Sequence, residues 1–217
     1  MILKEKNINI AFYVAVTASL ISCISDVLLL YAPGQDYLKG DYIFYGALDR
    51  SSMMLGHYLG VIFIPLQVLA IPWLSKHLKI ENNKPSPLIA IVLFYSIIMG
   101  CVYHASCAFM GIGLSDKLPD ADVVELYNSL YVPFALIFIM GLGYMSYYAG
   151  LIIFKGKTGF KKALGLLVPV NIALFIYLLD FFTSFDMGLF TVSAFNLSIL
   201  LFLICASVLE KKENLTA

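Results

Sequence analysis

Met54-Leu55-Gly56-His57-Tyr58-Leu59-Gly60 is the stretch on which the reading of the fold turns. It opens an apolar segment that runs to about Leu74, long enough to cross a bilayer as a helix. Gly56 and Gly60 form a G-x-x-x-G pair, a spacing that lets a second helix backbone come close. His57 stands between them, and an ionisable group inside a membrane is costly unless it has a partner. The partners must come from elsewhere in the chain, at the same depth.

The surrounding composition implies an integral membrane protein. The 217 residues are 61% hydrophobic and 13% charged, with a mean hydropathy of +0.89. Soluble domains lie near 45–50% apolar and about 25% charged. The net charge is zero, which leaves no case for nucleic acid. Cys23, Cys101, Cys107 and Cys205 all fall in apolar runs without C-x-x-C spacing, and read as small packing residues. No soluble domain, low-complexity segment or internal repeat remains outside the apolar runs, so a single transmembrane domain over residues 1–217 is expected.

Six membrane-length runs are predicted, at about 9–31, 52–74, 87–113, 126–154, 163–185 and 189–209. Leu20-Ile21-Ser22-Cys23 resembles a lipoprotein cleavage box, but apolar residues continue to Leu30 and the first run reads as a retained helix. Pro65, Pro72, Pro133 and Pro169 lie within runs and are expected to bend them. The loop from Ala32 to Ser51 is rich in Tyr, Gly and Asp and reads as a lid over the bundle, and the acidic loop from Ser115 to Glu125 as a short helical turn.

Charge sets the orientation. Lys4 and Lys6, then Lys76, Lys79 and Lys84, then Lys155, Lys157, Lys161 and Lys162, then Lys211 and Lys212 all fall on one side. The other side holds only Lys39, Arg50 and Lys117, against eight acids. The positive-inside rule places both termini in the cytoplasm. Depth can then be counted from each span's centre at about 1.5 Å per residue. Asp26, His57 and Asp180 come out about 9 Å above the midplane, His104 about 6 Å and Asn196 about 4–5 Å. Five helices thus contribute to one polar layer in the outer leaflet. The inner leaflet offers only Gln67 as a lone amide, with His77 in a cytoplasmic loop.

The helix faces agree with this layer. Ser19, Ser22, Cys23 and Asp26 share one face of the first span. Ser96, Gly100, His104, Cys107 and Gly111 make a small or polar stripe on the third, and Tyr177, Asp180 and Ser184 one on the fifth. Each residue has two readings. Asp26 is either neutralised by a proton or a neighbouring hydroxyl, or serves as a base, metal ligand or cation site. His57 and His104 are either satisfied core histidines or, with Asp26, ligands of a divalent metal such as zinc. Axial ligation of one haem is a further option. Asp180 reads first as a carboxylate reaching interfacial water, and Asn196 as a cross-helix hydrogen bonder or polar orienter. Arg50, about two turns before His57, is either an interfacial arginine or a clamp for an anionic headgroup, carboxylate or phosphate.

Taken together, Ser25-Asp26 with Leu29 and Tyr31, Arg50 ahead of Gly56-His57-Tyr58-Leu59-Gly60, Tyr103-His104-Ala105-Ser106 and Phe195-Asn196-Leu197-Ser198 resemble an uncharacterised family of bacterial multi-pass membrane proteins. The resemblance points to Asp26, Arg50, His57, His104 and Asn196 as its site residues. A more distant analogy is to the membrane hydrolases that include alkaline ceramidases and adiponectin receptors. The chain departs from these in its six spans, its two intramembrane histidines and its lack of a paired His motif near the C-terminus.

The expectation is an all-α polytopic bundle of six helices in the bacterial cytoplasmic membrane, its site open toward the outer face. The leading functional reading is a membrane-embedded enzyme acting on a lipid or other apolar substrate. His57 and His104 would be acid/base groups or metal ligands, Asp26 their partner, Arg50 an anion clamp and Asn196 an orienter. The rivals are a proton-coupled or small-molecule transporter, which should carry polar groups through both leaflets, and a binding or assembly protein without turnover. The orientation predicts that Asp41→Cys is labelled by an impermeant maleimide in intact cells and Glu213→Cys is not. The reverse pattern overturns it.

Overall fold

Inside a bilayer every backbone N–H and C=O must be satisfied within its own segment, so long apolar runs fold as helices. The computed structural model describes residues 5–34, 43–78, 87–116, 120–156, 158–183 and 187–210. Among them the regular structure is helical apart from one isolated bridge between Phe160 and Glu210. The helices are α1 (Glu5–Leu30), α2 (Arg50–Leu66), α3 (Ile71–His77), α4 (Pro87–Ser115), α5 (Asp120–Leu130), α6 (Val132–Phe154), α7 (Pro169–Phe182), α8 (Gly188–Val192) and α9 (Ala194–Val208). Short 3₁₀ turns occupy Ile43–Ala47, Gln67–Ala70 and Lys162–Leu166.

Four continuous helical stretches are long and apolar enough to cross a membrane: Lys6–Leu30, Arg50–His77, Ala90–Ser115 and Asp122–Phe154. They coincide with the first four predicted runs. The last two runs hold shorter apolar helices, α7 of 14 residues and α9 of 15. At about 1.5 Å per residue these cover about 21–23 Å, short of the roughly 30 Å hydrocarbon core. Pro169 fixes where α7 begins, and a turn at Ser193 separates α8 from α9. Ser193 turns its hydroxyl back onto the carbonyls of Leu189 and Phe190 at that turn.

The prolines act in two ways. Pro65 sits inside α2 just before the helix tightens into the 3₁₀ turn Gln67–Ala70. Pro72, Pro133 and Pro169 occupy the first turns of α3, α6 and α7, where a missing N–H costs no hydrogen bond. The second crossing is therefore an α–3₁₀–α composite, and Gln67 lies at its join. Asp49 caps α2, its carboxylate accepting the Ser52 N–H at 2.7 Å. That bond holds the Asp49 carboxyl below the usual carboxylate value.

Among the described residues, two large apolar clusters fill most of the bundle. One gathers Phe12, Trp73, Leu142, Phe160 and Leu203; the other gathers Leu29, Tyr45, Met53, Cys107 and Tyr127. Along α1, Asp26 falls between Ala15 of the first and Leu29 of the second; along the second crossing, Gln67 falls between Met53 and Ala70. Residues 35–42 of the expected lid lie outside the described residues. Its remainder folds as the turn Ile43–Ala47 against the end of α4, with Tyr45 buried and Gly46 in contact with Leu114. The acidic loop's expected helical turn is the start of α5, beyond residues 117–119, which are also outside the described set.

The G-x-x-x-G pair does its work at two different contacts. A Cβ on Gly56 would lie 2.7 Å from both Ser25 O and Leu29 N, so the α1 backbone rests directly on it. A Cβ on Gly60 would occupy the space taken by the His104 ring. Buried Ser19, Ser22 and Ser25 give α1 a matching narrow face, and each returns its hydroxyl to a carbonyl of α1 itself. Because Gly56 meets backbone, which cannot step aside, Gly56→Ala is expected to destabilise the protein by about 1–3 kcal/mol. Unfolding in detergent measures this, and wild-type stability of the variant would place the helix crossing elsewhere.

Candidate functional site

The α1–α2 contact brings Asp26 to the centre of the bundle, where it is 5% exposed. Its Oδ1 faces His104 Nδ1 at 2.9 Å, and its Oδ2 accepts the Asn196 Nδ2–H at 2.7 Å. Asn196 Oδ1 in turn accepts from Gln67 Nε2 at 2.7 Å. His104, itself 4% exposed, directs Nε2 to Gly56 O at 3.3 Å. One hydrogen-bonded chain thus runs from the α2 backbone through α4, α1 and α9 to the Gln67–Ala70 turn. The ring of His104 fits only because Gly60 lacks a side chain.

Donor counting fixes the proton content of the pair. A carbonyl can only accept, so Nε2 of His104 carries hydrogen. Nδ1 and Asp26 Oδ1 would repel at 2.9 Å unless one proton lay between them. Whether that proton sits on nitrogen or oxygen, the pair as a whole is neutral. This is the state in which an acid and a base can be buried together at least cost.

A cavity adjoins this pair. Its volume is about 60 Å³, it is partly open to the surroundings, and it is walled by Asp26, Gln67, Tyr103, His104, Phe138 and Asn196 with mostly apolar neighbours. Asp26, His104 and Asn196 therefore meet around one space, as the shared depth suggested. Gln67 joins them, although it reads from sequence as a lone amide of the opposite leaflet. It is not a lone amide: Asn196, 129 residues away, accepts its hydrogen, a partner that no spacing announces. The signal was the amide itself: burying one without a hydrogen bond is costly.

The remaining expected residues stand apart. His57 turns its ring toward Tyr58 and Phe109, with centroids 5.3 and 6.0 Å away, and does not line the cavity. Its Nδ1 is buried without a hydrogen-bond partner among the described residues. Arg50 pairs with Asp116 at 3.2 Å, both of them exposed, and ties the start of α2 to the end of α4. Asp180 accepts from Thr191 Oγ1 at 2.8 Å, joining α7 to α8. No three His, Cys, Asp or Glu side chains among the described residues stand close enough to hold a metal ion. The expected zinc set of Asp26, His57 and His104 is not assembled, and the same holds for haem. Both ring nitrogens of His104 are already bonded to the protein, and His57 faces another interface.

A second histidine–carboxylate pair was not legible in the sequence. His77 is not in a loop but in the last turn of α3, buried. Its Nδ1 donates to Trp73 O at 2.8 Å and its Nε2 faces Glu210 Oε1 at 2.7 Å. The His77 carbonyl accepts the Gly159 N–H at 2.8 Å, and the Lys161 N–H donates to Leu209 O at 2.9 Å. These bonds tie α3, the segment before α7 and the end of α9. The partners are 133 residues apart, and no spacing announces them.

The Asp26–His104 bond carries a quantitative expectation. Asp26→Ala and His104→Ala should each cost about 3–5 kcal/mol, because each strands a buried polar partner. The double variant should lose far less than the sum, as residues sharing a bond do. Unfolding of the four proteins in detergent measures the coupling, and additive losses would mean that the two side chains do not meet.

No curated protein and no solved structure matches the chain. One family model matches residues 3–213, nearly the whole length and every part of the site just described. The match is to an uncharacterised family, as the motifs indicate, and brings no likeness to ceramidases or adiponectin receptors. The chain belongs to DUF6796, a family of unknown function.

Proposed function

We propose that this is a six-span protein of the bacterial cytoplasmic membrane, with both termini in the cytoplasm, that performs acid–base chemistry on a lipid or other apolar molecule beside Asp26 and His104. Four helices of membrane length, the lysine asymmetry of the loops and an apolar exterior support the setting. Ile62, Ile91, Met140 and Phe175 are all more than half exposed, a surface that suits lipid rather than water. The two short spans fit the same topology. The 3₁₀ turn Lys162–Leu166 precedes α7, and α8 extends α9 so that 188–208 approaches membrane length.

The observation that carries the chemical reading is a buried, neutral acid–base pair on the wall of an otherwise apolar cavity. His104 is the group that would exchange a proton. Its bond to Gly56 O, at 3.3 Å, is the longest in the chain and the one most readily released to a substrate. Asp26 sets the tautomer and orientation of the ring, and Asn196 holds the second carboxylate oxygen. Arg50 and His57 receive no part in this step, since neither lines the cavity.

The test is a comparison of membrane lipids from cells lacking the protein, cells restored with wild type and cells restored with Asp26→Asn or His104→Gln. Wild type should restore the profile, and the two variants, present at wild-type levels, should leave it like that of the deletion. Full restoration by both variants would remove acid–base chemistry at this pair. Proton influx into vesicles that depends on Asp26 would instead mark a carrier.

A further inference from the structure

The hydrogen-bonded chain has a direction, and it leaves one atom over. Asp26 Oδ2 accepts from Asn196 Nδ2. Asn196 must then present its oxygen to Gln67, so Gln67 gives its Nε2–H to that bond. Gln67 Oε1 is the remainder. It is buried, on a residue only 2% exposed, and has no hydrogen-bond partner among the described residues. A buried acceptor in that state is unfavourable until a donor arrives.

Gln67 lines not only the cavity beside Asp26 but also a second groove. That groove has a cavity volume of about 60 Å³ and is partly open to the surroundings, a narrow space that suits a single chain rather than a bulky group. Its walls include Leu74, Leu93, Leu142, Ala149 and Leu203, and among the described residues no charged side chain lines it. Ser146, one of its few polar residues, already accepts the Val170 N–H at 3.1 Å. From Gln67 to Leu78 the groove follows eleven residues, about 16 Å of helix rise, which matches a long alkyl chain.

We infer that this groove binds a long-chain alcohol: a single apolar chain whose terminal hydroxyl donates to Gln67 Oε1. A hydroxyl supplies the missing donor without charge. A phosphate or ammonium head would need an opposite charge beside Gln67, and the described residues of the groove wall offer none there. An ionised carboxylate would bring more acceptors to an acceptor. The hydroxyl end would lie at Gln67, which lines both cavities, and the Gln67–Asn196 and Asn196–Asp26 hydrogen bonds would link it to Asp26. The inference rests on the membrane setting proposed above and names the class of molecule that could present itself to the Asp26–His104 pair. It does not require that the pair turn it over.

The experiment is binding to the full chain in nanodiscs, with a photoreactive hexadecanol carrying a diazirine at the far end of its chain. Crosslinks should map to groove residues of α3, α4 and α6. Unlabelled hexadecanol should compete about tenfold better than hexadecyl methyl ether, which has the same chain and no donor, for the loss of one buried hydrogen bond. Gln67→Leu should erase that difference, and Ala149→Phe should block labelling while the variant keeps its helical circular dichroism. Equal competition by alcohol and ether on the wild-type protein, or crosslinks confined to the lipid-facing exterior, would overturn the proposal. The readout is binding to wild type, so its failure leaves the acid–base reading to the separate test of membrane lipids.

Discussion

A carboxylate held almost entirely out of solvent among apolar helices is the constraint to which this structure answers. Left unpaired at the centre of a bilayer, such a charge would cost at least about 2.5 kcal/mol. The surrounding elements each contribute to removing that cost. α4 brings His104 to one oxygen of Asp26 and α9 brings Asn196 to the other. Gly60 makes room for the ring, Gly56 offers its carbonyl to the ring's second nitrogen, and Gln67 satisfies the amide that satisfies the acid. The neutral pair that results is compatible with an apolar interior.

Between helices in lipid there would be no hydrophobic drive to pack. Association then depends on close contact, which small residues permit. α1 supplies alanines and serines whose hydroxyls are already satisfied by its own backbone, and α2 supplies Gly56 against that backbone. The same closeness delivers Asp26 to His104, so the helix contact and the site are one arrangement. At the opposite end His77 and Glu210 make a second pair, surrounded by Trp73, Phe160 and backbone bonds. The bundle is thus tied at two levels by histidine and carboxylate, and Asp26 and His104 of the first pair line a cavity.

Much of the site was legible because membranes penalise polarity. Asp26, His104 and Asn196 announced themselves as costly residues on small or polar helix faces, and they do meet. His57 satisfied the same criteria and does not join them. Its neighbour Gly56 faces α1, and one residue along a helix turns the side chain by about 100°. That rotation carries the His57 ring away from the pair and toward Phe109. Depth can be counted from a sequence, but the azimuth of a helix cannot until its neighbours are fixed. Gln67 differs in the opposite sense: it reads from sequence as a lone amide, and it bonds Asn196, 129 residues away.

By itself, then, the sequence determined the helical class, the membrane length of four apolar segments and the identity of the residues too polar to be left alone in them. These are local matters of composition, hydrogen-bond satisfaction and backbone chemistry. Which polar residue meets which was decided only by the tertiary structure. The direction of the hydrogen-bonded chain, the neutral pairing of Asp26 with His104, the isolation of His57 and the unused oxygen of Gln67 all depend on helix rotation and contact between segments as far as 170 residues apart. Rotation is set by steric fit, a Gly here and a Met or Phe there, and such fit exists only once the helices are side by side.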